Sequence, residues 1–298
     1  MLSLSILIPA FKEPYLNKTL DSLLASVVGD VEILPVFDGR LPDEPVRTDP
    51  RIKPIFLKNH VGMRGCINAG LKAAQGEYVM KVDAHCVFAP GFDKVLTEDC
   101  KENWLMIPRR YVLMEKNWDR DMTRSPIDYH QVTFPGTFER QYGTTFHVLR
   151  WYREGREAYE IDDTMVFQGS FWLANKKYFM DRVGFLDDRQ ETYGSFIQEQ
   201  QEISFKYWLR DGEVKVDKKT WYCHLSKRTF HYKTGFFSRR HKKDTEYISG
   251  NNWGTKHWMN NEEPNMTHPF SWLINKFAPI PTWPENWEDK WHTLITNR

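Results

Sequence analysis

Apolar residues in the first 110 positions recur with two alternating periods. LSILIPA (4–10), VEILPVF (31–37) and RIKPIFL (51–57) are short runs rich in branched side chains. Such runs suit strands buried on both faces. Glu13-Pro14 opens a different pattern, with Leu16, Leu20, Leu23, Leu24 and Val27 on one side of an expected helix. Residues 61–75 predict a second helix, closed by Gly76. EYVMKVDAH (77–85) reads as a fourth strand, 92–104 as a third helix and LMIPRRYVLM (105–114) as a fifth strand.

The order β-α-β-β-α-β-α-β predicts an α/β fold: a mostly parallel sheet with right-handed crossovers and flanking helices. Ligands in such sheets bind beyond the carboxyl ends of the strands. Those ends carry Pro9-Ala10, Asp38 and Asp83-Ala84-His85, which should meet in one cleft. Between 114 and 163 the pattern weakens, and irregular functional structure is expected. Regularity returns at TMVFQGSFWLANKKYF and EQQEISFKYWLRDG. The tail, 236–298, holds six of the twelve tryptophans with prolines between them, which predicts an aromatic-rich arm docked on the main domain.

Composition narrows the class. An apolar fraction of 41%, 27% charged residues and a net charge of +1 fit a soluble globular protein. No 18-residue apolar run suggests a membrane span, and the N-terminus lacks a basic leader. Cys66, Cys86, Cys100 and Cys223 show no C-x-x-C spacing and read as reduced core thiols. A cytoplasmic location is the expectation.

Within an extended strand, Asp83 and His85 point the same way. A carboxylate beside an imidazole is a partial shell for a divalent cation, with positions left for diphosphate oxygens. The plainer alternative is a capping Asp next to a surface His.

The surrounding stretches favour the cation. SILIPAFKE, FDG, the helix with Asn68-Ala69-Gly70, and Val82-Asp83-Ala84-His85 resemble the nucleotide-sugar half of family-2-type GT-A glycosyltransferases. The Asp-x-His form resembles the polypeptide N-acetylgalactosaminyltransferases. FQGSFWLANKKYF, GFLDD, EQQEISFKYW and WYCHLSK follow in that family's order, and the resemblance spans roughly residues 3–235. It implies a Rossmann-like GT-A catalytic domain over 1–235, divided into a nucleotide-sugar half (1–110) and an acceptor half (111–235). The sequence departs from the pattern at Phe196-Ile197-Gln198, which separate Tyr193-Gly194-Ser195 from Glu199. It also has Gln200 for the family's Asn and Lys227 for its phosphate-contacting Arg.

By this resemblance Asp83, His85 and His224 hold Mn²⁺ or Mg²⁺. Pro9, Ala10, Glu13, Asp38, Arg64, Asn68, Asp83, Gly169, Ser170, Lys227 and Arg228 bind the UDP-sugar. Asp38 meets the uracil or ribose edge unless it is a turn residue before Gly39. Arg64 reaches the phosphates unless it is a solvated helix residue. Glu199 and Glu202, three apart on one helix face, are the catalytic candidates. A base at Glu199 suits an inverting enzyme, whereas the look-alikes imply retention. Trp172, Tyr193, Arg239 and Arg240 are the acceptor candidates.

Residues 206–243 hold twelve Lys or Arg against three acids, a net +9, with Phe230, His231, Tyr232, Phe236 and Phe237 interleaved. This is either a solvated face with donor-phosphate contacts or a polyanion surface for backbone phosphates and a stacked base. The second suits a phage-like enzyme that glycosylates a hydroxymethylated base in DNA. A protein Ser/Thr or a glycan is the other acceptor class, and a catalytically silent nucleotide-sugar or nucleic-acid binder is the alternative to an enzyme.

Overall fold

A computed structural model describes residues 2–137, 145–226 and 240–296. Its first half follows the predicted alternation: β1 (Leu4–Ala10), α1 (Leu16–Ser26), β2 (Val31–Phe37), β3 (Ile55–Phe56), α2 (Gly62–Ala73), β4 (Tyr78–Val82), β5 (Cys86–Phe88), α3 (Phe92–Asp99) and β6 (Trp104–Met114). Then come β7 (Asp119–Arg120), β8 (Tyr129–Val132), β9 (Val148–Trp151), β10 (Ile161–Asp163), β11 (Phe171–Asn175), α4 (Lys176–Arg182), α5 (Glu199–Leu209) and β12 (Glu213–His224). The chain closes with α6 (Arg240–Met259), α7 (Phe270–Phe277) and α8 (Trp287–Thr296).

A ten-stranded sheet forms the centre, in the order β10-β12-β6-β11-β4-β1-β2-β3, with β5 on β12 and β7 on β6. β1 is parallel to both β2 and β4, and β12 is parallel to β6. The run FWLAN of β11 lies antiparallel between β4 and β6 and joins the two parallel halves. β1 and β2 are largely apolar because helices cover both faces, and their buried polar side chains, Ser5 and Glu32, bond to each other at 2.7 Å.

Three expectations change. RIKPIFL pairs over only Ile55–Phe56, plus an isolated bridge at Ile52, because Pro54 offers no N–H to a ladder. Among the described residues of 114–163 the irregular stretches are interrupted by short paired strands: β8 pairs with β9, β7 with β6 and β10 with β12. His130 and Gln131 are polar yet buried, which hid the strand from a hydrophobic pattern. The fourth strand stops at Val82, so Asp83-Ala84-His85 forms the turn into β5 rather than a strand end.

The tail packs into the same core as the second half. Trp258, Phe270, Leu273, Ile274, Phe277 and Trp291 join Phe146, Phe205 and Trp208 in one cluster. Among the described residues no helix is long and apolar enough to cross a membrane. All four cysteines are free and buried.

Candidate functional site

A cleft of about 630 Å³ opens over the carboxyl ends of β1, β2 and β4. Pro9, Ala10, Glu13 and Asp38 line one end, Asp83, His85 and His224 the middle, and Gly169 and Glu199 the floor.

Local pairing brings the middle together. The N–H of Asp83 donates to the Ser170 carbonyl at 3.0 Å and fixes the turn after β4. β5 pairs antiparallel with β12 so that His224 lies opposite Cys86, and the N–H of Leu225 donates to the His85 carbonyl. His85 and His224 therefore meet with their Nε2 atoms 3.0 Å apart. Asp83 Oδ2 is 3.1 Å from His224 Nε2 and 3.7 Å from His85 Nε2. All three ligand atoms fall within 4.8 Å of one another. The expected convergence is present, but a turn rather than strand pleating produces it.

The electrostatics suit a cation. Burial drops the His224 imidazole to about 3, so it is neutral with a lone pair to give. Burial alone would raise the Asp83 carboxyl, but Lys81 and the two imidazoles outweigh it and hold Asp83 well below the usual carboxylate range. Glu13 Oε2 sits 3.2 Å from His85 Nδ1 and orients that ring, as carboxylates behind ligating histidines do. One ionised carboxylate and two imidazoles make a donor set that fits a divalent transition-metal ion such as Mn²⁺, completed by oxygens, better than Mg²⁺, which prefers oxygen ligands alone.

Lys81, in β4 and wholly buried, lies beneath this triad. Its Nζ donates to Asp83 Oδ1 at 2.7 Å and to the Gly169 carbonyl, and lies 3.5 Å from Glu199 Oε2. Burial would lower this ammonium, yet the two carboxylates push it up to about 12. Glu199 is itself raised by burial, which Lys81 and Trp172 offset only in part. A Cβ at Gly169 would stand 3.2 Å from Glu199 Oε2, so the glycine lets this carboxylate approach the turn.

Asp38 is buried at one end of the cleft, and its oxygens accept from the N–H groups of Val61 (2.6 Å) and Gly62 (3.0 Å). His60 Nδ1 is 2.6 Å from Oδ2. Asp38 thus anchors the start of α2, the turn-type role, while still facing the cleft. Gly39 follows at φ +66, where a Cβ would come within 2.3 Å of the His60 nitrogen.

Several candidates lie elsewhere. Arg64 is buried and donates to Glu202, to the Ile197 carbonyl (2.6 Å) and to the Asp187 carbonyl (2.7 Å). It neither faces solvent nor lines the cleft. Glu202 is held by Arg64 and by Lys206 at 2.7 Å, so it fixes α5 instead of meeting substrate. Asn68 bonds both backbone groups of Leu186 and ties α2 to the Gly184–Asp188 loop. Ser170 is buried against Gln168 and Tyr222. Trp172 is buried, stacked on Phe179 at 4.8 Å, and donates to Glu199 at 3.0 Å. Tyr193 is buried beside Trp258 and Arg64. Neither ring is open to an acceptor.

Lys227, Arg228 and Arg239 lie outside the described residues, as does the Arg240 side chain. The described part of the basic stretch is engaged internally: Lys206 and Arg210 with Glu263, Lys215 with Asp163 and Glu213, and Lys219 with Asp99. Lys218 donates to Tyr129 and to the Arg156 carbonyl. These five do not form a polyanion surface.

The fold and cleft together are those of a GT-A glycosyltransferase. The model of the family described as Glycosyl transferase family 2 matches residues 5–183, and the chain belongs to that family. It is 33% identical over 110 residues to the uncharacterized glycosyltransferase EpsJ of Bacillus subtilis, covering 35% of this chain and 32% of that protein. It is 37% identical over 83 residues to the uncharacterized glycosyltransferase alr2836 of Nostoc, covering 26% of each. The matches thus span about a third or less of these curated relatives. A crystal structure of GalNAc-T7 with UDP, GalNAc and Mn²⁺ superposes with a TM-score of 0.65 at 12% identity, covering 99% of this chain and 54% of that one. That likeness is one of fold.

Proposed function

We propose that the protein transfers a sugar from a UDP-sugar to an acceptor hydroxyl, with a divalent cation held by Asp83, His85 and His224. The convergence of those three ligand atoms on the cleft, over a buried Lys81, carries the proposal. The UDP, GalNAc and Mn²⁺ of the GalNAc-T7 structure support it by analogy of fold. Bound there, Mn²⁺ or Mg²⁺ would supply positive charge to the departing diphosphate.

The chain's own residues would do the rest. Pro9, Ala10 and Asp38, joined by His60 and Phe11, frame the nucleoside end. Glu199 would stand beside the transferred sugar. Its Oε1 already accepts from Trp172 and its Oε2 faces Lys81, so it is poorly disposed to take a proton from the acceptor. That favours retention, with the hydroxyl attacking on the leaving-group face. Glu202 has no part in this reading.

The acceptor follows from what can reach the cleft. A hydroxymethylated base in DNA would depend on residues 227–243, while a protein or glycan hydroxyl would not. Mass spectrometry of hydroxymethylated DNA, peptide and glycan acceptors, each with a panel of UDP-sugars, tests the proposal. A sugar mass gained on one of them with release of UDP is the expected result. UDP release with no acceptor gaining mass would limit the activity to hydrolysis, and no release under any condition would leave a silent binder.

A further inference from the structure

Two arginines follow Pro108 in β6, and they have different fates. Arg109 forms a two-pronged pair with Asp128, both contacts at 2.8 Å. Among the described residues no carboxylate lies within ion-pair distance of Arg110, and its Nε is buried without a hydrogen-bond partner. Its Nη2 lies 3.2 Å from His224 Nδ1.

Arg110 is half-buried and faces the cleft next to His85, His224 and Ser226. The other cations nearby are already matched: Lys81 by Asp83 and Glu199, and Arg64 by Glu202. A partly desolvated guanidinium with no counter-ion is costly unless an anion arrives to meet it. Arginine only donates, so its contact with His224 opposes one N–H to the Nδ1 lone pair. A cation on His224 Nε2 would leave the proton on Nδ1, and Arg110 would then turn its donors to the cleft. The planar fork matches phosphate oxygens in particular.

Its place in the sheet is also informative. β6 lies beyond β11 from β4, whereas the nucleoside end is built on β1 and β2 on the opposite side. We propose that Arg110 is a phosphate-binding residue of the cleft, set beside His224 on the half of the sheet away from the nucleoside. The phosphate is either the far end of the donor diphosphate or a group carried by the acceptor. The inference deepens the proposed function and rests on it.

Calorimetric titrations of wild type, Arg110→Gln and Arg110→Lys in Mg²⁺ buffer test it. The ligands are uridine, UDP, and inorganic phosphate added with and without saturating UDP. Arg110→Gln should lose roughly tenfold to a hundredfold in affinity for a phosphate-bearing ligand, the scale of one charged hydrogen-bonded contact. Uridine affinity should be unchanged, and Arg110→Lys should fall between. A loss for UDP assigns the donor diphosphate. A loss only for inorganic phosphate on the UDP-loaded protein assigns an acceptor phosphate. Wild-type affinities for both in Arg110→Gln overturn the inference. If wild type binds inorganic phosphate but not UDP, and Arg110→Gln loses that binding, Arg110 stands and the nucleotide reading fails. A wild type that binds no phosphate-bearing ligand overturns both.

Discussion

Replacing Lys81 by methionine keeps the length of the side chain and deletes one buried charge. Lys81 is 0% exposed, and Asp83 and Glu199 both depend on it. Removing one partner of a buried ion pair costs about 3–5 kcal/mol, because the remaining charge stays buried and unmatched. Domains are stable by about 5–15 kcal/mol, so the variant should fold but melt early. At roughly 2–4 °C per kcal/mol, the melting temperature should drop by about 6–20 °C. Neutralising Glu199 as well should return part of the loss, since Lys81→Met and Glu199→Gln touch one network. The double-mutant coupling should be about 1–3 kcal/mol. Urea unfolding and calorimetry in chelator-treated buffer would measure both. A loss below about 1 kcal/mol for Lys81→Met, or strict additivity, would refute the bridging role given to this lysine.

Three further outcomes follow from the geometry. Glu199→Gln should slow transfer by about tenfold, the value of one charged contact, and the product should keep the donor's anomeric configuration by proton NMR; a loss of about a hundredfold with an inverted product would make Glu199 a general base. His130 is buried with its pKa dropped to about 3 by desolvation, so the unfolded chain binds the extra proton. Its stability contribution is complete above about pH 6.5 and is lost as pH falls toward 3, by about 1.4 kcal/mol per pH unit. Urea unfolding at pH 6.5 and 5 should therefore differ by about 2 kcal/mol more in wild type than in His130→Gln, and equal differences would contradict this. Trp258→Ala, in the core shared with the second half, should cost about 3–5 kcal/mol in one cooperative transition; separate melting of the tail would show that it docks independently.

The parallel strands were legible because burial on both faces leaves β1 and β2 apolar but for Ser5 and Glu32. The Asp-x-His pair was legible as chemistry but not as geometry, since a turn performs what a strand was expected to do. Glu199 and Glu202 share a helix face, yet α5 is buried nearly all round, so one reaches the cleft and the other an interior arginine. Spacing alone cannot separate those fates. Trp172 and Tyr193 follow motif positions, but only packing shows that they are buried. Lys81 did leave a signal: a lone lysine inside the apolar run YVMKV must find buried acids. Arg110 left a weaker one, because nothing local says which of two adjacent arginines Asp128 would take.

The most direct test of the account is release of UDP from a UDP-sugar before and after metal removal, in wild type, Asp83→Ala and His224→Ala. The wild type should fall silent in EDTA and recover with Mn²⁺, and each variant should lose at least about a hundredfold with Mn²⁺ present, the scale of one preorganised electrostatic element. Undiminished turnover by wild type in EDTA, or by either folded variant, would contradict the assignment of Asp83, His85 and His224 as the cation site.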